Sequence, residues 1–225
     1  LKPGFLISDS RKPINQSLSQ ETLIIQYYFL NLNKTPAIMS KHTLHFKKEV
    51  FYFITITCYK WINLINKTDL YPKIYDWFDI LTQNSCFISA YVLMPNHFHF
   101  LLFQSEESPQ LNKLVANGKR FLAYKIIERL KMSNDYRTLK YLAYKVAPRE
   151  KRIGKRHQAF QPSFDARICY SDKMTKQKVD YIHRNPVSKK WHLANSYLDY
   201  EHSSAWFYEY GELVGYGNLK HYREI

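Results

Sequence analysis

The stretch CFISAYVLMPNHFHFLLF, residues 86–103, consists of two apolar runs separated by Pro95-Asn96. Pro and Asn are turn formers, so the stretch reads as a β-hairpin with arms over 86–94 and 97–103. Its second arm carries His97 and His99. Residues two apart in a strand share a face, so both imidazoles project together while Phe98 and Phe100 point the other way. Burying polar rings without partners is costly, and imidazole is the commonest side-chain metal ligand. Alone, the His-x-His pair reads as two separately hydrogen-bonded histidines rather than as half of a metal site. The rest of the chain must decide.

Outward from the hairpin, VFYFITITCY (50–59) alternates and is rich in β-branched and aromatic residues, as strands are. YPKIYDWFDILTQ (71–83) sets Ile74, Trp77, Phe78 and Leu81 at helical spacing, with Pro72 in the first turn. Residues 108–131 read as a helix capped by Ser108, with Pro109 at its first position and Leu111, Leu114, Val115, Leu122 and Ile126 as its buried stripe. A basic, weakly periodic connector runs on to about residue 157. SDKMTKQKVDYIHRN (171–185) is a further capped helix, stopped by Pro186. Residues 195–211 read as loop and short helix. This order predicts an α+β fold, a ferredoxin-like antiparallel sheet with helices packed on one face and the His pair on a central strand.

The chain has 225 residues, 45% of them hydrophobic, enough for one domain with a sizeable core. Lys+Arg 33 against Asp+Glu 19 gives a net charge of +14, which points to a polyanionic partner. Residues 113–156 hold fourteen Lys/Arg against three acids (Glu128, Asp135, Glu150), a net +11. Such concentration favours a nucleic-acid groove over an evenly solvated surface. Cys58, Cys86 and Cys169 are isolated from one another, which argues against a disulfide framework or a zinc ribbon and for small core residues. There is no apolar run of membrane-spanning length, no secretory signal and no Gly-rich phosphate loop. A cytoplasmic, nucleoid-associated protein is expected. Residues 1–38 are aperiodic and precede Met39, so they are expected to be an extension, not native or poorly ordered. The working domain is expected over 39–210 and a tail over 211–225.

DYIHRNPV, residues 180–187, supplies what the hairpin lacks. Tyr181 and Asn185 lie four apart, one turn along one helix face, and Lys178 shares that face. An amide oxygen suits a hard divalent ion, and a Tyr beside such an ion can act as a nucleophile toward a phosphodiester. Read singly, Tyr181 is one of 19 tyrosines and Asn185-Pro186 a helix stop. The His pair, the Tyr/Asn face and the basic segment together call for one reaction. His183, on another face of that helix, reads as a packing or hydrogen-bonding residue. Tyr124, Tyr141 and Tyr144, interleaved with Lys and Arg, fit base stacking and core packing equally.

YVLMPNHFHFLL, followed by VDYIHRNPV and HSSA, resembles the HUH single-tyrosine transposases, and within them the REP-associated tyrosine transposases. The resemblance spans roughly residues 41–210 and takes in FYFITITCYKW, HQAFQPSFDARICYS and SYLDYEHSSAWFY. It implies that His97, His99 and Asn185 ligate Mg²⁺ or Mn²⁺ and that Tyr181 is the catalytic nucleophile. Lys178 is the candidate for assisting the phosphate. Lys113, Lys119, Arg120, Lys151, Arg152, Lys155 and Arg156 are the candidate DNA contacts. The implied substrate is single-stranded DNA with hairpins, as in repeat elements. It would be cleaved to a 5′-phosphotyrosine and a free 3′-OH by a monomer or homodimer. The chain departs from the family pattern at Phe160-Gln161, often Trp-Gln there, and at Ser188-Lys189-Lys190-Trp191, where a Gly is usual. The alternatives are a hairpin DNA- or RNA-binding protein without turnover and a water-using phosphodiesterase in which Tyr181 is only structural.

Overall fold

A computed structural model of the chain describes residues 47–225, so the expected extension over 1–38 and its boundary lie outside the described residues. Strand β1 (Val50–Thr57) is followed by a short 3₁₀ turn (Tyr59–Trp61) and helices α1 (Leu64–Lys67) and α2 (Tyr71–Gln83). The hairpin β2 (Cys86–Leu93) and β3 (His97–Gln104) comes next, then α3 (Leu111–Met132), α4 (Tyr136–Tyr144) and α5 (Pro148–Arg152). Strand β4 (Asp165–Cys169) and helix α6 (Asp172–Arg184) follow, and α7 (Ala205–Tyr210) is the last helix. The strands form one antiparallel sheet in the order β2-β3-β1-β4, the ferredoxin-like arrangement, with β3 internal.

Antiparallel sheets usually wet one face, but β2 and β3 are buried along nearly their whole length because both faces are covered. On one face Phe98 and Phe100 meet Trp77 and Phe78 of α2, with ring centroids 5.3–6.1 Å apart. Helix α3 crosses Trp77 at Gly118, where a β-carbon would lie 2.1 Å from the indole, so only glycine permits the approach. On the other face Phe53, Ala90, Val92, Met94 and Leu101 bury against Val179 and Ile182 of α6 and Tyr222. The Phe, Val, Met, Leu and Ile side chains among them contribute about 1.5–3 kcal/mol each on full burial. This second core seats α6 over the histidine face. The expectation of helices on a single face is therefore corrected, since α2 and α3 lie on one side and α6 on the other. The hydrophobicity of residues 86–94, interrupted by Ser89 alone, is the signature of a strand buried on both sides.

Two further expectations change, and one strand is added. Ser108 does not cap α3: its hydroxyl donates to the Ser105 carbonyl, and Gln104 holds the Pro109 carbonyl at 2.8 Å. The turn is fixed to the strand end, and the helix starts at Leu111 after Gln110. The connector to residue 157 contains α4 and α5, the first capped by Asp135, which accepts from the Thr138 amide, and anchored by buried Leu139 and Leu142. Residues 165–169 form β4, a short edge strand paired only to β1. Ser171 caps α6 as expected, accepting from the Met174 amide. The three cysteines are buried and free. Tyr216, Leu219 and Tyr222, from the segment after residue 210, are buried. Among the described residues no helix is long and apolar enough to cross a membrane.

Candidate active site

Strand register sets the floor of the site. His97 pairs across the sheet with Thr57, and His99 with Thr55 and Val92. Cross-strand partners share a face, so both threonines stand beside the imidazoles. Thr55 Oγ1 lies 2.9 Å from His99 Nδ1. His97 Nδ1 lies 2.8 Å from Asn96 Oδ1. The Asn96 amide nitrogen donates to the Trp61 carbonyl and to Asn63 Oδ1. Its oxygen must therefore be the atom facing His97, so His97 Nδ1 carries the proton and Nε2 keeps its lone pair. This is the outer-shell arrangement that orients metal-binding imidazoles.

Burial, then the charge of Lys190, pushes the His97 pKa down to about 4. Burial, then His97 and Lys178, pushes that of His99 down to about 3. Both rings are thus neutral at pH 7, the ligating form. Their centroids are 4.8 Å apart.

Helix α6 brings Tyr181 onto this floor. Its ring meets His99 edge-on at 5.3 Å and Phe53 at 5.7 Å, yet half of the residue is exposed, so the phenol edge is reachable from solvent. The Lys178 ammonium lies 4.8 Å from the Phe53 ring centroid and 5.9 Å from that of Tyr181. Asn185, still helical in backbone at the end of α6, is buried, and its side-chain oxygen has no hydrogen-bond partner. An orphaned buried carbonyl oxygen is costly, and a cation would satisfy it. Two neutral imidazoles and one amide oxygen are a donor set that would suit a divalent cation. Among the described residues no three His, Cys, Asp or Glu side chains cluster so as to hold a metal ion.

His183 faces away from this floor, where its Nε2 lies 2.9 Å from Ser204 Oγ and the same oxygen accepts from the Tyr91 amide. It is a structural link, as its spacing indicated. Beside the imidazoles opens a cleft of about 320 Å³ lined by Thr55, Thr57, Gln161, Ser163, Phe164 and Asp165.

The basic candidates divide by role. Lys113, Lys151, Arg152 and Arg156 are exposed, and Arg120 is half-buried on α3. Lys155 pairs with Glu150 at 2.7 Å. Lys119 turns inward and donates to the carbonyls of Gln161, Pro162 and Ser163, pinning the cleft wall. Burial, then Lys155, pushes its pKa down to about 8. Tyr124, Tyr141 and Tyr144 are all exposed, which leaves the core-packing reading without support. Lys145 lies over the rings of Tyr141 and Tyr144.

Sequence reading missed Thr55 and took Asn96 only as a turn residue. The strand pairing of Thr55 with His99 is invisible before folding. For Asn96 a signal existed, since an amide adjoining His97 is always within local reach.

No family model matches the sequence, and no curated protein matches it. The fold does have solved counterparts. A REP-associated tyrosine transposase bound to a REP hairpin superposes with a TM-score of 0.51 at 16% identity, over 82% of this chain and 95% of that one. A proposed transposase from Deinococcus radiodurans R1 aligns at 21% identity and a TM-score of 0.37, over 65% of this chain and 97% of that one. The chain thus has a ferredoxin-like α+β fold shared with the first of these transposases.

Proposed function

We propose that this protein is a divalent-metal-dependent tyrosine transposase that cleaves and rejoins hairpin-bearing single-stranded DNA. The observation that carries the reading is the meeting of Tyr181 with His99, whose ring neighbours His97, together with the buried, unpartnered oxygen of Asn185 four residues further along the chain. His97, His99 and Asn185 would hold the ion. A bound divalent cation supplies Lewis-acid polarisation of the scissile phosphate.

In the cleavage step the Tyr181 oxygen attacks phosphorus, loses its proton to solvent and forms a phosphotyrosine to the 5′ end. The P–O3′ bond breaks and the departing oxygen takes a proton as a free 3′-OH. Lys178 lies close enough to the phenol ring to neutralise phosphate charge as it arrives. The energy of the phosphodiester stays in the covalent link, so a second 3′-OH can reverse the step and join a new strand. The cleft beside Thr55 and Thr57 and the exposed cations of α5 offer a path for the polyanion.

The test is incubation of the protein and Mn²⁺ with end-labelled hairpin oligonucleotides. A denaturant-resistant adduct carrying label from the 3′ side of the cut is expected, and none with Tyr181→Phe. Cleavage by Tyr181→Phe at the wild-type rate would replace this reading with water-based phosphodiester hydrolysis. Tight binding without any cleavage would make the protein a hairpin binder.

A further inference from the structure

Two tryptophans frame the His97 end of the site. Trp61 meets the His97 ring at 5.2 Å and Trp191 meets it at 5.0 Å, while the indoles lie 6.0 Å apart at 33°. Trp61 is 47% exposed, in contrast to Trp77, which is wholly buried. Such an exposed indole is not loosely held. Lys60 and Trp61 both take left-handed backbone angles, φ 53° and 60°, which L-residues with large side chains rarely adopt. The turn is fixed by the Trp61 amide donating to the Cys58 carbonyl and by Asn96 donating to the Trp61 carbonyl. Asn96 is also the residue that orients His97. One side chain therefore ties the placement of an exposed indole to the placement of an imidazole. The Lys190 ammonium lies 4.8 Å from one indole centroid and 4.7 Å from the other.

We propose that Trp61 and Trp191 form a nucleobase-stacking platform for a nucleotide next to the cleaved bond, with Lys190 meeting that nucleotide's phosphate. This rests on the reading that single-stranded DNA enters the site. Aromatic faces accept any base through stacking. A cation held over those faces by the ring quadrupoles is positioned to transfer to a phosphate oxygen. Covering His97 from water explains why indoles adjoin it. It does not explain a strained turn that leaves one of them half in solvent, or the ammonium drawn onto both. The platform sits at the opposite end of the His pair from Tyr181, which contacts His99, so a base stacked there would fix the strand across the imidazoles.

The experiment compares oligo(dA) of twelve nucleotides with a twelve-unit abasic sugar-phosphate strand of equal charge. Binding is measured by anisotropy on a Tyr181→Phe background to prevent cleavage. The protein with both tryptophans should prefer oligo(dA) by about tenfold or more. Trp61→Ala/Trp191→Ala should lose most of that preference while keeping its affinity for the abasic strand and for Mn²⁺. Trp61→Leu keeps an apolar cover over His97 and removes one π-face, so it should lose part of the preference even if replacing Trp191 prevents folding. A preference that persists in folded Trp variants, or an equal loss for both strands, overturns the platform. Failure of the parent protein to bind either strand overturns it too, and a positive adduct assay on the wild type would show that the functional reading survives alone.

Discussion

The rings of His99 and Tyr181 meet edge-on at 72°, joining the central strand of the sheet to the helix that covers it. Tyr181→Phe keeps this packing and should leave the melting temperature within about a degree. Tyr181→Ala removes contacts with Phe53 and His99 and should cost on the order of 1 kcal/mol. Both should abolish the DNA adduct. Thermal unfolding beside the adduct assay separates the ring's structural part from its chemical one.

The orphaned oxygen of Asn185 gives a metal prediction with two readouts. Mn²⁺ should raise the melting temperature of the wild type, because a ligand of the folded state stabilises it. His97→Ala/His99→Ala should abolish that rise and the calorimetric binding signal. Asn185→Ala should change metal-free stability little, since the lost oxygen had no partner, yet weaken Mn²⁺ binding. An unchanged Mn²⁺ affinity in the double histidine variant would remove the site.

Stability should fall in acid through buried imidazoles. Burial holds His97 and His183 at about 4 and His99 at about 3 in the folded chain, whereas an unfolded His titrates near ~6.5. Folded values below unfolded ones mean that the unfolded chain binds more protons under about pH 6.5. The stabilisation is therefore complete above that pH and is lost as pH falls toward 4. Each histidine contributes a slope of about 1.4 kcal/mol per pH unit in that window. Urea titrations of metal-free protein at pH 7, 6 and 5 should show it, and His183→Gln should remove about one proton's share. A flat profile would mean that the rings are not held neutral.

Salt dependence should sort the basic residues. Lys151→Ala, Arg152→Ala, Lys155→Ala and Arg156→Ala together should lower the log–log salt slope for single-stranded DNA. Three freely exposed cations at about 0.7 each give a change of about 2, with Lys155 adding less because it pairs with Glu150. Lys119→Met should barely change the slope and should instead loosen residues 161–163, whose carbonyls it holds. Hydrogen exchange of that loop checks the second half. An unchanged slope in the quadruple variant would make those charges ordinary surface.

Strand β4 and the two-sided covering of the sheet mark where sequence reading stopped. Asp165–Cys169 alternates polar and apolar residues over five positions only, and with Cys169 its one buried residue the signal is too short to announce a strand. Its pairing energy comes from β1, a partner more than a hundred residues earlier in the chain. Helices α4 and α5 were hidden by their charge: Leu139 and Leu142 are the only buried side chains of the two. Lys119 reads from its basic run as a candidate DNA contact, and only the fold shows that its ammonium also donates to three carbonyls.

The sequence by itself determined the hairpin, helices α2 and α6, and the shared faces of His97 with His99 and of Tyr181 with Asn185. Those relations depend on the periods of a strand and a helix, two and 3.6 residues, and therefore need no knowledge of the rest of the chain. Only the tertiary structure decided that the histidine face lies under α6, that Thr55 engages His99, and that Trp61 and Trp191 close around His97. Those contacts join segments whose mutual distance is set by the packing of two cores on one sheet, and no local period encodes it.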